Sequence, residues 1–187
     1  MNTKTKKLST ASMVLCGMFA ALVAIGAFIQ IPVPYMDYFT LQFFFVLLAG
    51  LILGADRGAI SVGCYVLLGL VGVPIFAAGG GIGYIFRPSF GYLVGFIVSA
   101  YVTGKVCEKL KASYKNYLLA CLAGFVVTYA IGIVYKFIIL NFYAHTPATL
   151  GVIFLSCFPL DMPGDFVLCL LAAGVGLRMR KSGFYLS

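Results

Sequence analysis

The sequence predicts an all-α integral membrane protein of six transmembrane helices, a single domain over residues 1–187 with both termini cytoplasmic. Three observations carry that expectation. The first is composition: 63% of the residues are hydrophobic and 10% are charged, against roughly 45–50% and about 25% in soluble domains. A water-soluble chain of this size has no interior large enough to hide so much apolar surface, whereas lipid accepts helices that are apolar on their outer faces. The second is the succession of long apolar runs broken by Gly, Pro or polar residues. The third is charge placement. The formal net charge is +8, but the basic residues stand in short clusters between apolar runs, which is a membrane pattern and not a nucleic-acid-binding face.

The runs give the helices in order. The first helix is expected at about Ser12–Ile31. It is too long for the apolar core of a signal peptide, and no small-residue cleavage site follows, so it reads as a retained span. The second and third are expected at about Leu41–Leu53 and Gly58–Leu70. Each rises only about 20 Å, short of the ~30 Å hydrocarbon core, so tilt or extension into the flanking segments is expected. The fourth lies at about Phe90–Leu110, the fifth at about Tyr117–Phe142 and the sixth at about Gly164–Met179. A further apolar piece, Leu150–Phe158, precedes the sixth as a short helix or as part of the same span.

Orientation follows from Lys and Arg. With the N-terminus in the cytoplasm, six crossings place Lys4, Lys6, Lys7, Arg57, Lys105, Lys109, Lys111, Lys115, Arg178, Arg180 and Lys181 on that side, as the positive-inside bias requires. Arg87 and Lys136 are the two exceptions among the thirteen basic residues. They fall toward the outer side with Asp37, Asp161 and Asp165, near segments rich in Gly, Pro and Tyr.

The same residues exclude several function classes. The six cysteines are scattered with no C-x-x-C pair, and the lone histidine, His145, rules out a multi-histidine metal centre. His145 has no nucleophile partner at a recognisable spacing, so no catalytic constellation is visible and the chain is not read as an enzyme.

Four segments can carry function. Between the first two helices, Ile31–Gln42 holds two prolines with Tyr35, Tyr38, Thr40 and Gln42; these suit a ligand, and taken alone the segment is better accounted for by an interfacial aromatic belt. Gly72–Tyr92 is Gly-rich, with Gly79, Gly83, Tyr84, Arg87 and Tyr92. It lacks the G-K-[ST] ending of a phosphate loop, and the planar fork of Arg87 suits a carboxylate or, alternatively, a lipid phosphate. At Phe158–Asp165, Asp165 is either a helix cap or an acceptor for ligand N–H groups, since ionisable groups at membrane depth are functional candidates. On the first helix, Ala20 and Ala24 form an A-x-x-x-A pair that allows close helix approach, to a partner or within the bundle.

Four stretches together carry a family resemblance: Pro34 to Gln42 with its Phe-Thr-Leu-Gln, Leu67-Leu-Gly-Leu-Val-Gly-Val-Pro-Ile-Phe76, Gly91-Tyr-Leu-Val-Gly-Phe96, and Pro163-Gly-Asp165. Along nearly its whole length the chain resembles the BioY family, the biotin-binding S components of energy-coupling-factor (ECF) transporters. It departs from the family at Arg87–Tyr92, where relatives usually read Gly-Pro-Thr-Gly-Gly-Tyr, and at Leu168, where a Lys often stands. The resemblance implies a six-helix subunit of the cell membrane that captures biotin from outside and carries no cofactor. Its partners are then a membrane scaffold protein and two cytoplasmic ATPases that hydrolyse ATP. The implied substrate-binding set is Tyr35, Thr40, Gln42, Gly79, Gly83, Tyr84, Arg87, Tyr92, Lys136 and Asp165, with Ala20 and Ala24 facing the scaffold. An S component for another vitamin, or a membrane enzyme or structural subunit without transport, are the alternatives.

Overall fold

The computed structural model of the chain describes residues 9–32, 38–144, 146, 148–157 and 161–183. Tyr35, Asp37, His145, Phe158 and the N-terminal lysines lie outside them. The described chain is all-α apart from two three-residue strands. Helix α1 covers Thr10–Phe28, α2 Gln42–Leu53, α3 Ala55–Val71, α4 Phe90–Lys109, α5 Tyr114–Ile138, α6 Leu150–Cys157 and α7 Asp161–Lys181. Strands β1 (Gln30–Pro32) and β2 (Tyr38–Thr40) pair antiparallel, with Gln30 opposite Thr40 and Ile31 opposite Phe39.

By length and hydropathy four helices can cross a membrane: α1, α4, α7, and α5 together with the wider π-type turn Ile139–Tyr143 that extends it. Helix α2 keeps the shortness expected of it. Ten of its 12 residues are buried, because it runs through the middle of the bundle against α1, α3, α4 and α7. A helix that is apolar all round belongs in such a place. A single residue, Gly54, joins α2 to α3, and its φ of 83° is the left-handed conformation that glycine adopts without a Cβ penalty.

Several boundaries differ from the expected ones, and α3 and α5 each start earlier, at Ala55 and Tyr114. Helix α1 stops at Phe28, where the β1–β2 pair begins and Leu41 N–H donates back to the carbonyls of Gly26 and Ile29 at 3.1 Å each. The piece Leu150–Cys157 takes the first of its two expected forms, a short helix. Helix α7 starts at Asp161, three residues earlier than expected, with Pro163 in its first turn, where a missing N–H costs nothing. Asp165 therefore lies inside the helix, and the capping role does not apply to it.

The basic ends of the helices meet at one end of the bundle. Glu108 near the end of α4 accepts from Ala55 N–H at the start of α3 at 2.9 Å, supplying a partner to an otherwise unpaired helix-terminal donor. Arg180 near the end of α7 donates to the buried Tyr117 hydroxyl on α5 at 3.1 Å. On α1 and α3, Ser61 Oγ donates to Cys16 O at 2.6 Å. At the opposite end lie the starts of α2, α4 and α7, the end of α5 and the Gly-rich connection, and there the bundle is hollow.

Candidate functional site

A cavity occupies that end, enclosing about 780 Å³ of empty space when the open solvent at its mouth is counted. Its apolar walls are Phe39, Phe43, Ala77, Leu93 and Phe96. Its polar groups are Thr40, Gln42, Tyr84, Ser89, Tyr92, Tyr129, Lys136, Asp161 and Asp165. The lining rings brace one another: Phe43 stacks on Phe96 at 5.9 Å and Tyr92 meets Tyr129 edge-on at 5.8 Å, while Phe125, outside the lining, packs on Tyr129 at 4.7 Å and on Phe43 at 6.3 Å. Such offset and edge-to-face pairs hold aromatic side chains in fixed orientations.

The polar groups are oriented one by one. Gln42 opens α2. Its Oε1 accepts from Thr40 Oγ1 at 3.1 Å, and its Nε2 donates to Tyr65 Oη at 2.5 Å. Tyr65 in turn donates to the carbonyl of Ile75 at 3.1 Å, which ties the Gly-rich connection to the same chain of bonds. With both ends engaged, the Gln42 amide has one rotamer, leaving one N–H and one lone pair for a ligand. Across the cavity, Tyr129 Oη donates to Asp165 Oδ2 at 2.8 Å. Tyr92 Oη and Cys157 Sγ are 3.0 Å apart, which joins α4 to the short helix α6. Ser89 Oγ, buried on the wall, has no hydrogen-bond partner among the described residues. Lys136 is half-buried in the lining, and no carboxylate among the described residues lies within 4 Å of its ammonium.

Of the residues singled out from the sequence, Thr40, Gln42, Tyr84, Tyr92, Lys136 and Asp165 come together in this cavity. Arg87, Gly79 and Gly83 are not in its lining. The exposed Arg87 guanidinium lies 5.3 Å from the centre of the Tyr84 ring, a cation–π contact. Gly79 holds φ 109° in a tight turn where Phe76 and Gly79 exchange both backbone hydrogen bonds, at 2.9 and 3.1 Å. Gly83 lies in a 3-10 turn, Ile82–Phe86, with open space around it. On α1, Ala20 is buried at 6% exposure within this subunit's own core, and Ala24 is half-buried against it. Sequence reasoning missed Ser89, Tyr129 and the aromatic walls. Tyr129 stands seven residues before Lys136 on α5, two turns along the same face, and that spacing was the available signal.

Helices long and apolar enough to cross a membrane, around a cavity with aromatic walls and a few placed polar groups, point to a small-molecule-binding membrane protein. Comparison with known proteins supplies the particular kind. The BioY family model matches residues 1–183, and the chain belongs to that family. It is 40% identical over 177 residues to a protein of Lysinibacillus sphaericus named probable biotin transporter BioY, covering 94% of this chain and 90% of that one. It is 38% identical over 173 residues to the biotin transporter BioY of Thermotoga maritima, covering 90% and 95%. Its fold superposes on the crystal structure of the S-component for biotin from an ECF-type ABC transporter with a TM-score of 0.81, at 25% identity over 97% of this chain and 95% of that one. Family and apolar helices together make this a multi-pass protein of the cell membrane.

Proposed function

We propose that this chain is the biotin-specific S component of an ECF-type vitamin transporter, and that it captures biotin in the cavity at the end of the bundle away from the basic clusters. The observation that carries the reading is the pairing of neutral and charged groups in that cavity. Biotin offers two ureido N–H donors and a carbonyl acceptor, an apolar fused ring and a carboxylate tail. Asp165 is the acceptor for a ureido N–H, the Gln42 amide and Thr40 complete the head site, and Tyr84, Tyr92 and Phe96 wall the rings. Lys136 stands about 10 Å beyond Tyr129 by helical rise, further toward the mouth, and takes the carboxylate. Tyr35 belongs to the same outer segment and is assigned to the pocket with them, while Arg87, Gly79 and Gly83 shape its rim.

The full reading has six membrane passes, with both termini and the α4–α5 loop in the cytoplasm and the cavity outside. A membrane scaffold subunit and two cytoplasmic ATPases supply the energy, with α1 toward the scaffold, Ala24 at the contact and Ala20 packed behind it in the subunit's own core. The experiment is binding of labelled biotin to the detergent-purified protein and its Asp165→Asn variant. Loss of a hydrogen bond to a charged acceptor costs about 1.5–3 kcal/mol, roughly 10- to 150-fold in affinity, and that loss is expected at unchanged thermal stability. A variant within about threefold of the parent would remove Asp165 from the ligand site, and no binding by the parent would remove biotin.

A further inference from the structure

Asp165 presents two oxygens of unequal standing. Oδ2 accepts the Tyr129 hydroxyl at 2.8 Å, while Oδ1 has no hydrogen bond among the described residues, and the carboxylate is part of the cavity lining. A carboxylate free to rotate about its last side-chain torsion samples a broad range, and one held by a donor on one oxygen does not. Tyr129 is well placed to be that donor. Its side chain is only 4% exposed, packed on Phe125 at 4.7 Å and edge-on to Tyr92 at 5.8 Å. Tyr92 is itself tied at its hydroxyl to Cys157 on α6. The phenol is therefore held between two rings, and its hydroxyl is engaged by Asp165.

We infer that Tyr129 is a positioning residue for ligand recognition: it locks one oxygen of Asp165 so that the other faces the N–H donor of the ligand's head group. This rests on the biotin reading above and adds to it a selectivity rule. A carboxylate locked in one plane accepts an N–H from one direction, so the angle at which a cyclic urea enters is set by α5, not by the helix that carries the acid. Preorganisation of this kind raises affinity by sparing the ordering of a side chain on binding.

The test is a double-mutant cycle on the full-length purified protein, reading the biotin dissociation constant of the parent, Tyr129→Phe, Asp165→Asn and the double variant. Phenylalanine keeps both ring contacts, and melting temperature monitors the fold. Tyr129→Phe is expected to weaken biotin about tenfold, and less than about twofold when Asn already stands at 165, since coupled residues are non-additive. A second readout needs no ligand. The infrared carboxylate stretch of Asp165, isolated as the difference from Asp165→Asn, is expected to shift in Tyr129→Phe. Full additivity in the cycle, affinity within twofold of the parent, or an unmoved carboxylate band would each reduce Tyr129 to a stacking wall and leave the biotin reading standing. An Asp165→Asn variant with parental affinity would instead overturn the assignment of Asp165 itself.

Discussion

Lys136 and Arg87 stand apart from the basic end of the bundle, and the structure gives them different surroundings. Lys136 is half-buried in the cavity wall with no ion-pair partner within 4 Å among the described residues. Arg87 is exposed, leans on Tyr84 and is absent from the lining. An ammonium that lines a cavity with no carboxylate beside it among the described residues is placed to receive an anionic ligand. Lys136→Met, which keeps the length and removes the charge, is expected to weaken biotin at least about tenfold, the scale of a lost charge-assisted bond. It should leave the neutral biotin amide within about threefold. Arg87→Ala is expected to change neither by more than about threefold, because its solvent-exposed guanidinium makes a cation–π contact worth ~0.5–1 kcal/mol with the Tyr84 ring. Parallel titrations of the acid and the amide check both, and an equal loss for acid and amide would count against Lys136 as the carboxylate partner. At this scale the sequence was informative wherever a polar residue interrupts an apolar run, as Gln42, Lys136 and Asp165 do. On Tyr129, aromatic within an apolar helix, it offered only the spacing from Lys136, which does not separate a ligand-site role from packing until the partner 36 residues away is located.

Helix packing is set by small residues whose positions repeat every four. On α4, Gly91 and Gly95 face α5, and on α5, Gly124 and Gly132 face α4. A methyl group built at Gly91 collides with Tyr135, and one at Gly132 with the ring of Tyr92. These two glycines thus set how closely the walls carrying Tyr92 and Tyr129 approach, the same close-approach logic by which small residues pair helices in lipid. The small residues that stand out in the sequence are those of α1, and the two alanines differ in their surroundings. Ala20 is enclosed by the subunit's own core, so Ala20→Leu is expected to destabilise the isolated protein by about 1–3 kcal/mol through overpacking, read as a lowered melting temperature. Ala24 is half-buried, so Ala24→Leu is expected to leave melting temperature and biotin binding near the parent and to reduce co-purification with a scaffold subunit. Normal recovery of the complex with Ala24→Leu would place the scaffold contact elsewhere than at Ala24.

The whole molecule is polarised along the bundle axis. Arg57, the lysines of the α4–α5 connection and the basic end of α7 gather at one end through the Glu108–Ala55 and Arg180–Tyr117 bonds. The cavity and Asp161, Asp165 and Lys136 lie at the other. With the basic end inside, a cysteine at Ser113 in a cysteine-free background is expected to resist a membrane-impermeant thiol reagent in intact cells. One at the exposed Thr146 is expected to react. Reversal of that pattern would invert the orientation and put the cavity in the cytoplasm.

The sequence alone determined that this chain lives in lipid, which segments are helical, which ends are basic, and that polar groups converge on the opposite end. Those properties are local: a 20-residue apolar run or a lysine cluster acts on the bilayer wherever the rest of the chain goes. Only the tertiary structure decided that α2 is a buried central helix, not a lipid-facing span, that α7 begins at Asp161 so that Asp165 is inside it, and that Tyr129 meets Asp165. These are relations between elements. In a chain that is apolar on nearly every face, hydropathy gives no signal for which face turns inward. That choice is made by glycine contacts and by the pairing of buried polar groups such as Gln42 with Tyr65 and Tyr129 with Asp165.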